Sequence, residues 1–178
     1  VGHIERYNPA YRALRGALRA PRLLELRRHA PWTGRVTDVD VVLDLMIHDI
    51  DLALDLAGSE VTAVEAAGVA MMGHGLDAVN ARLAFASGAV AELSGSRVAA
   101  APVRTIVVHE TDRTLAADLT GRTMATFAAE GAAKGTVDVA AGDALGMEIQ
   151  AFIDAVRGRP SAGVPGAAAT AALSVAER

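Results

Sequence analysis

The spacing of hydrophobic side chains changes twice along this chain, and that change constrains the fold more than any other feature. Residues 60–139 divide into short segments in which apolar and polar side chains alternate, with turns such as Ser87-Gly88 between them. The segments before and after this region contain the stretches that repeat with the period of a helix, and the segment before it also contains two short predicted strands. Consecutive strands joined by short turns pair antiparallel. The sequence therefore predicts an α+β fold with a large, mostly antiparallel open-faced sheet and helices on one face.

The predicted helices and strands follow from these periods. A first helix begins at Asn8-Pro9, with Asn8 as the cap, and the helix over 40–57 ends at Gly58. Two further helices are predicted over 144–157 and 165–177. The predicted strands are Val1–Arg6, Arg22–Arg28, 60–72, 79–85, 89–98, 104–110, 114–119, 123–127 and 136–139.

Composition excludes several classes of protein. With 52% hydrophobic residues and a net charge of −4, the 178-residue chain is not expected to be disordered. It has no cysteine, and we find neither a membrane span nor a signal peptide in the sequence, which favours the cytoplasm. Because the first residue is Val and the opening segment already reads as a strand, we expect a fragment whose N-terminal part is absent.

The arginines are concentrated at the start of the chain. Residues 1–40 contain eight arginines against four carboxylates. Such a segment either lies on solvated faces or binds a phosphate or carboxylate through paired N–H groups. The acidic total and the scarcity of aromatic residues argue against nucleic acid as a partner, and no membrane partner is expected.

The segment over 40–57 carries the strongest indication of chemistry. On a helical projection its acidic residues and its histidine fall within a stripe about 80° wide, while apolar residues cover most other sides and Asp49 alone interrupts them. Aspartate is a poor helix former, so a solvated face would favour other polar residues. The stripe consists of Asp40, Asp44, His48, Asp51 and Asp55.

His48 and Asp44 are the candidate catalytic pair. Imidazole titrates near neutral pH and suits proton transfer, and a carboxylate one turn earlier can orient it. A divalent-metal site built from the same side chains is the rival interpretation. The other histidines more often have structural roles: His29, His74 and His109, with His3 ambiguous.

No segment of the chain has a nucleotide-binding fingerprint. Gly73-His74-Gly75 lacks the third glycine and the following acidic residue of the GxGxxG pattern, and there is neither a P-loop nor a GxSxG motif.

Several motifs together resemble one family. The segment Asp44-Leu-Met-Ile-His48-Asp-Ile-Asp51 is similar to the DxxxHxxD helix of the Gfo/Idh/MocA oxidoreductases, which opens their C-terminal domain. FASGAVAELSGSRV resembles that family's central hairpin, and MEIQAFIDAVRGRP resembles its C-terminal return. The opening VGHIERYNP is most similar to the nucleotide-sugar branch, of the UDP-N-acetylglucosamine 3-dehydrogenase type. The resemblance covers almost the whole chain and implies a fold like the C-terminal domain of glyceraldehyde-3-phosphate dehydrogenase.

This resemblance implies half of an enzyme. Residues 1–178 would form the substrate-binding and oligomerisation domain, and NAD or NADP would be held mainly by an N-terminal Rossmann domain absent from this chain. His48 would be the acid/base, Asp44 would contact the substrate and support His48, and substrate contacts are expected from Arg6, Tyr7, Asn8 and Asp51. The Glu-Lys-Pro lysine of the family is also missing, and Lys134 lies in the wrong context to replace it, so the fragment alone should be inactive.

The expected partners are a sugar or nucleotide sugar and further copies of the chain. Helices cover only one face of the predicted sheet, so the other face is expected to pair in a dimer or tetramer, as is typical of the family. Two alternatives stay open: a non-enzymatic domain for assembly or ligand binding, and the metal-dependent Asp/His site.

Overall fold

A computed structural model describes residues 1–36, 38–72, 75–139 and 141–178. It contains eight strands, β1 to β8, at Leu23–His29, Val61–Val69, Ala78–Phe85, Val90–Ser96, Val103–His109, Arg113–Asp118, Thr123–Ala128 and Ala133–Asp138. The helices α1 to α4 are Pro9–Ala17, Ile47–Ala57, Ala144–Val156 and Gly166–Ala176. Within these described ranges, no helix is long and apolar enough to cross a bilayer.

The strands form one sheet in the order β2-β3-β4-β1-β5-β6-β7-β8. Every neighbouring pair is antiparallel except β1 and β4, which run parallel. The predicted, mostly antiparallel sheet is therefore confirmed, with one central parallel pair in addition. This pair arises because the chain passes from β1 through α2 and the β2–β3 hairpin before it returns as β4.

The hydrophobic core lies between the sheet and its helices. Alternate residues of the central strands are buried against them, including Leu24 and Leu26 of β1, Leu93 of β4 and Ile106 of β5. Helices α1 and α2 pack on this face, and α4 packs on α2. Because successive side chains of a strand point to opposite faces, Glu25 and the other intervening residues lie on the face that the helices leave open.

The predicted strand Val1–Arg6 is wrong. Residues Ile4–Tyr7 form a 3₁₀ turn, in which the Arg6 N–H donates to the His3 carbonyl and the Asn8 N–H donates to the Glu5 carbonyl. Six residues are too few for an apolar period to distinguish a strand from a turn. The turn also points Glu5 and Arg6 at charged partners on β1 and α2, contacts that a local pattern cannot reveal.

The predicted helix over 40–57 is confirmed, although its first part is wider than an α-helix. Val42–Met46 form a π-helical turn before α2 begins at Ile47. Asp40 caps the start, because its Oδ1 accepts from Val42 N at 3.0 Å and Leu43 N at 3.2 Å. Gly58 ends α2 with a φ of 56°, a left-handed conformation that favours glycine.

A buried ion pair fixes the approach to this helix. The Arg97 Nε donates to Asp77 Oδ1 at 2.7 Å, and Arg97 Nη1 donates to the Val39 carbonyl at 2.8 Å. Asp77 Oδ2 accepts from the backbone N–H groups of Met71 and Met72. Asp77 thus connects the end of the β2 segment with the residues that lead into the π-helical turn.

Candidate active site

His48 lies in the first turn of α2, half-buried, with its imidazole against that of His3. The two ring centroids are 5.9 Å apart, and the ring planes meet at 83°. His3 is buried, and its Nδ1 lies 3.8 Å from Asp51 Oδ2. The two histidines and Asp51 therefore form one contiguous group at the start of the helix.

The surroundings of His48 keep its imidazole neutral. Burial lowers the pKa of His48 to about 4, and the positive charge of Arg28 and the neighbouring His3 act in the same direction. Glu5 and Asp51 oppose this shift more weakly. The Nδ1 atom of His48 is buried and has no hydrogen-bond partner among the described residues. At pH 7 the side chain is consequently a proton acceptor, which is the state required of a general base.

A buried charge network lies next to His48. Arg28, on the helix-facing side of β1, donates from Nε to Asp49 Oδ1 at 2.9 Å and from Nη1 to Glu5 Oε1 at 3.0 Å. Arg104 Nη1 donates to the same Glu5 oxygen at 3.2 Å. The side chains of Arg28, Glu5 and Asp49 are all more than nine-tenths buried. Such buried pairs are costly to break, so they hold the backbone around His48 in one arrangement.

This network was not predicted from the sequence, although two features of the sequence point to it. Arg28 follows Leu24 and Leu26 at two-residue spacing, so it continues the apolar face of β1 and had to be buried there. Asp49 interrupts the apolar sides of the helix, and a buried carboxylate requires a cationic partner. Together these signals could have paired the two residues.

Arg6, a predicted substrate contact, joins two carboxylates of α2. Its Nε and Nη2 donate to the two oxygens of Asp51, each at 2.7 Å, and its Nη1 lies 2.6 Å from Asp55 Oδ1. The Tyr11 hydroxyl also donates to Asp55. Asp51, another predicted substrate contact, is fully buried under this pair. The positive charge of Arg6, which comes from the 3₁₀ turn, thus offsets the repulsion between these two carboxylates.

Tyr7 and Asn8, the remaining predicted contacts, flank the start of α1. Tyr7 is buried, and its hydroxyl donates to the Ala162 carbonyl at 3.3 Å. Asn8 caps α1, as predicted, by accepting from Ala10 N at 3.0 Å, and its Nδ2 donates to the Leu119 carbonyl at 3.1 Å. A substrate contact by either side chain stays a prediction.

Asp44 faces a different set of groups from His48. It is half-buried in the π-helical turn, and burial raises its pKa, an effect that Arg97 opposes and Asp38 reinforces. The described residues include no hydrogen bond between Asp44 and His48. The wider π turn changes the angular relation between residues before and after it, which a projection at 100° per residue does not include. The role of Asp44 stays a prediction.

The other histidines lie apart from this group. His29 contacts Ser94 Oγ through Nε2 at 2.9 Å, and His109 contacts Glu25 Oε2 through Nε2 at 3.0 Å. Both lie on the open face of the sheet. His74 lies outside the described residues. No group of three or more potential metal ligands occurs within the part of the chain that the structure describes.

Comparison with known proteins gives the family. A family model described as the GFO/IDH/MocA C-terminal domain matches residues 11–116. UDP-N-acetylglucosamine 3-dehydrogenase of Acidithiobacillus ferrooxidans is 39% identical over 165 residues, which cover 88% of this chain and 53% of that protein. The chain therefore spans about half the length of this curated relative.

Solved structures agree. A structure of the same Acidithiobacillus ferrooxidans enzyme, GnnA, superposes with a TM-score of 0.91 at 39% identity, covering 99% of this chain and 58% of that chain. A putative myo-inositol dehydrogenase from Sinorhizobium meliloti has a TM-score of 0.77 at 24% identity over 99% of this chain and 60% of its own, a likeness of fold alone. The chain thus belongs to the Gfo/Idh/MocA family and matches the C-terminal domain of that family.

Proposed function

We propose that this chain is the substrate-binding half of an NAD(P)-dependent oxidoreductase that acts on a secondary alcohol of a sugar or nucleotide sugar. The observation that carries the proposal is His48, an imidazole kept neutral at pH 7 whose buried Nδ1 has no hydrogen-bond partner among the residues that the structure describes. The 39% identity to a UDP-N-acetylglucosamine 3-dehydrogenase supports a nucleotide sugar as the substrate class.

His48 would act as the acid/base. Oxidation of a secondary alcohol removes a proton from the hydroxyl and a hydride from carbon, and NAD or NADP supplies the hydride acceptor when it is bound. The neutral His48 accepts the hydroxyl proton, and Glu5 and Asp51 stabilise the imidazolium that forms, since both carboxylates favour its charged state. In the reverse direction the imidazolium returns the proton.

Arg6 and the buried network would position these groups. Arg6 holds Asp51 and Asp55, so α2 cannot rotate about its axis without breaking two ion pairs. Arg28 holds Asp49 on the opposite side. We propose substrate contacts for Arg6, Tyr7 and Asn8, and we propose that Asp51, which is fully buried with both oxygens bound by Arg6, acts on the substrate through Arg6. Asp44 is proposed to contact the substrate and to support His48.

The residues of this chain do not fit a dinucleotide. Its parallel strands β1 and β4 are not joined by the glycine-rich turn and helix that hold a diphosphate, so no residue here is assigned to NAD(P). We propose that an N-terminal domain holds the cofactor and that this chain alone does not turn over. An exposed apolar stripe on α3 suits the contact with such a domain, and it consists of Leu145, Ile149, Phe152 and Val156.

The test measures turnover of the full-length protein with a panel of nucleotide sugars, and the reduction of the nicotinamide is the signal that is monitored. We expect His48→Ala to lower kcat by about 10²- to 10⁴-fold, the usual contribution of a general base. His29→Gln, a change on the other face of the sheet, is the matched control and keeps the parent rate. Wild-type turnover by the His48→Ala variant would remove His48 from the acid/base role, and a protein inactive on the whole panel would favour a non-enzymatic ligand-binding domain.

A further inference from the structure

A groove lies at the ends of the central strands, where β5 begins and β6 turns into β7. It has a volume of about 380 Å³, and its walls include Asn8, Arg104, Thr120 and Arg122. The starts of α1 and α3 complete it, through Pro9 and Ala144. None of the described residues that line it is acidic, although the chain carries a net charge of −4.

The two arginines of this groove differ in their partners. The Arg104 side chain is half exposed and shares its charge with Glu5, at 3.2 Å. The Arg122 side chain is exposed, and the described residues give its guanidinium no hydrogen bond or ion pair. Arg122 therefore presents a full positive charge, with its N–H donors free, at the mouth of the groove.

The backbone of Arg122 is strained. Its φ is +55°, a left-handed conformation that costs free energy for any residue except glycine, and its carbonyl is fixed by the Val139 N–H at 2.9 Å. An arginine in such a conformation, whose side chain has no partner among the described residues, is typical of a position used for ligand contact.

The helix beginning at the groove adds to its positive potential. The nine-residue helix α1 starts at Pro9, and its cap Asn8 is neutral, so the positive end of the helix dipole is offset only by the Glu5 carboxylate, which accepts from Asn8 Nδ2 at 3.2 Å. Helix α3 contributes less, because its cap Asp143 carries a negative charge.

The groove adjoins the site of His48. In the sheet register Arg104 is paired with Arg28, and Glu5 Oε1 accepts from both guanidinium groups. Glu5 and Arg28 are also among the charges that act on His48. A nucleotide sugar carries its diphosphate on the anomeric carbon of the sugar. If the sugar ring binds at His48, the diphosphate therefore needs an anion site that is separated from His48 by about the width of one sugar ring.

We propose that this groove binds the diphosphate of a nucleotide-sugar substrate, with Arg122 and Arg104 as its ligands. Guanidinium groups match phosphate oxygens through paired N–H donors, and such charge-assisted contacts are stronger than neutral ones. The proposal rests on the proposed function, because it takes a sugar at His48 as its starting point.

The test measures binding of uridine diphosphate to this chain by isothermal titration calorimetry. The variants are Arg122→Gly, which relieves the strained backbone while removing the charge, and Arg122→Gln, which removes the charge but keeps a polar N–H donor. We expect both to bind uridine diphosphate about tenfold more weakly than the parent. The thermal midpoint of Arg122→Gly should equal or exceed that of the parent, so a loss of fold cannot explain the weaker binding. Arg22→Gln, just before β1 at the opposite end of the strands, is the matched control. Its affinity for uridine diphosphate should stay within twofold of that of the parent.

Two further arms identify the source of the diphosphate. UDP-N-acetylglucosamine should show the same loss in the Arg122 variants, whereas NAD⁺ titrated into this chain should show no Arg122-dependent binding. The proposal is overturned if uridine diphosphate does not bind the parent, if it binds the Arg122 variants equally well, or if NAD⁺ is the ligand that depends on Arg122. Uridine diphosphate lacks the sugar ring that His48 would oxidise, so its binding tests the groove separately from the reaction. Arg122-dependent binding to this chain, together with a full-length protein that is inactive on the whole panel of nucleotide sugars, would contradict the proposed function while the anion site in this groove would stand.

Discussion

At the scale of single residues, His48 couples protonation to stability. Its pKa is lowered from 6.5 to about 4 in the folded chain, so between these values the unfolded chain binds more protons and the folded state loses stability as the pH falls. This contribution to the free energy of unfolding is fully present above pH 6.5 and is lost by about pH 4. A shift of this size corresponds to about 3 kcal/mol.

We therefore expect His48→Gln to flatten the pH dependence of the free energy of unfolding. Chemical denaturation of the parent and the variant at intervals from pH 8 to pH 4.5 measures it, because glutamine removes the titrating group while the other charges remain. Above pH 7 the difference between the two proteins should be constant. Parallel curves throughout the range would mean that His48 titrates alike in the folded and unfolded chains.

The catalytic candidate was visible in the sequence, but its electrostatic surroundings were not. The unusual density of aspartate around His48 is a local pattern and can be read along one helix. The pairing of Arg28 with Glu5 and Asp49 joins β1, the 3₁₀ turn and α2, and such contacts depend on how these elements meet in space. The local spacing of apolar residues carries no information about how these three elements pack against one another.

At the scale of elements, the π-helical turn packs directly on strand β4. A Cβ added to Gly95 would lie 3.1 Å from Met46 Cε and 3.4 Å from Met46 Cβ, and Met46 is buried. The glycine thus allows the turn that precedes His48 to approach the sheet closely. The position of His48 depends on this contact as well as on the ion pairs.

We expect Gly95→Val to destabilise the chain by about 2 kcal/mol through overpacking, and Met46→Ala to recover part of that loss in the double variant. Urea denaturation of the two single variants and the double variant measures the coupling. Gly135→Val is the matched control, since Gly135 is also in a strand but a Cβ there would meet nothing within 4 Å. Additive single effects would contradict a direct contact between the turn and β4.

The elements themselves were largely predictable, because their periods are local. The helices that became α1 to α4 and the strands of the hairpins follow from apolar spacing and turn residues. The insertion of β1 between β4 and β5 was not predicted, since the partner of a strand is set by residues far away in sequence. The opening 3₁₀ turn was likewise not predicted, because the partners of Glu5 and Arg6 on β1 and α2 are far away in sequence.

At the scale of the whole molecule, the helices pack on one face of the sheet and leave its other face open. It mixes apolar and charged side chains, among them Val103, Val107, Glu25 and Arg27. Eight strands about 4.8 Å apart and about 23 Å long give a face of roughly 900 Å². A stable interface of ordinary size buries about 800 Å² on each partner, so this face is large enough for one.

We therefore expect the chain to form at least a dimer through this face. Val107 lies near its centre, where it pairs in register with Glu25 of β1 and Ala116 of β6. Val107→Lys would bring two like charges and their hydration shells to an interface around a twofold axis, which is unfavourable unless each is paired. Light scattering at micromolar concentration should give a dimer or larger assembly for the parent and a monomer for Val107→Lys, and the circular dichroism spectrum of the variant should match that of the parent. Ala171→Lys, at an exposed position of α4 in the helical layer, is the control and should keep the parent assembly. A parent chain that is monomeric at this concentration, or a Val107→Lys variant that associates as the parent does, would show that copies of the chain do not meet through this face.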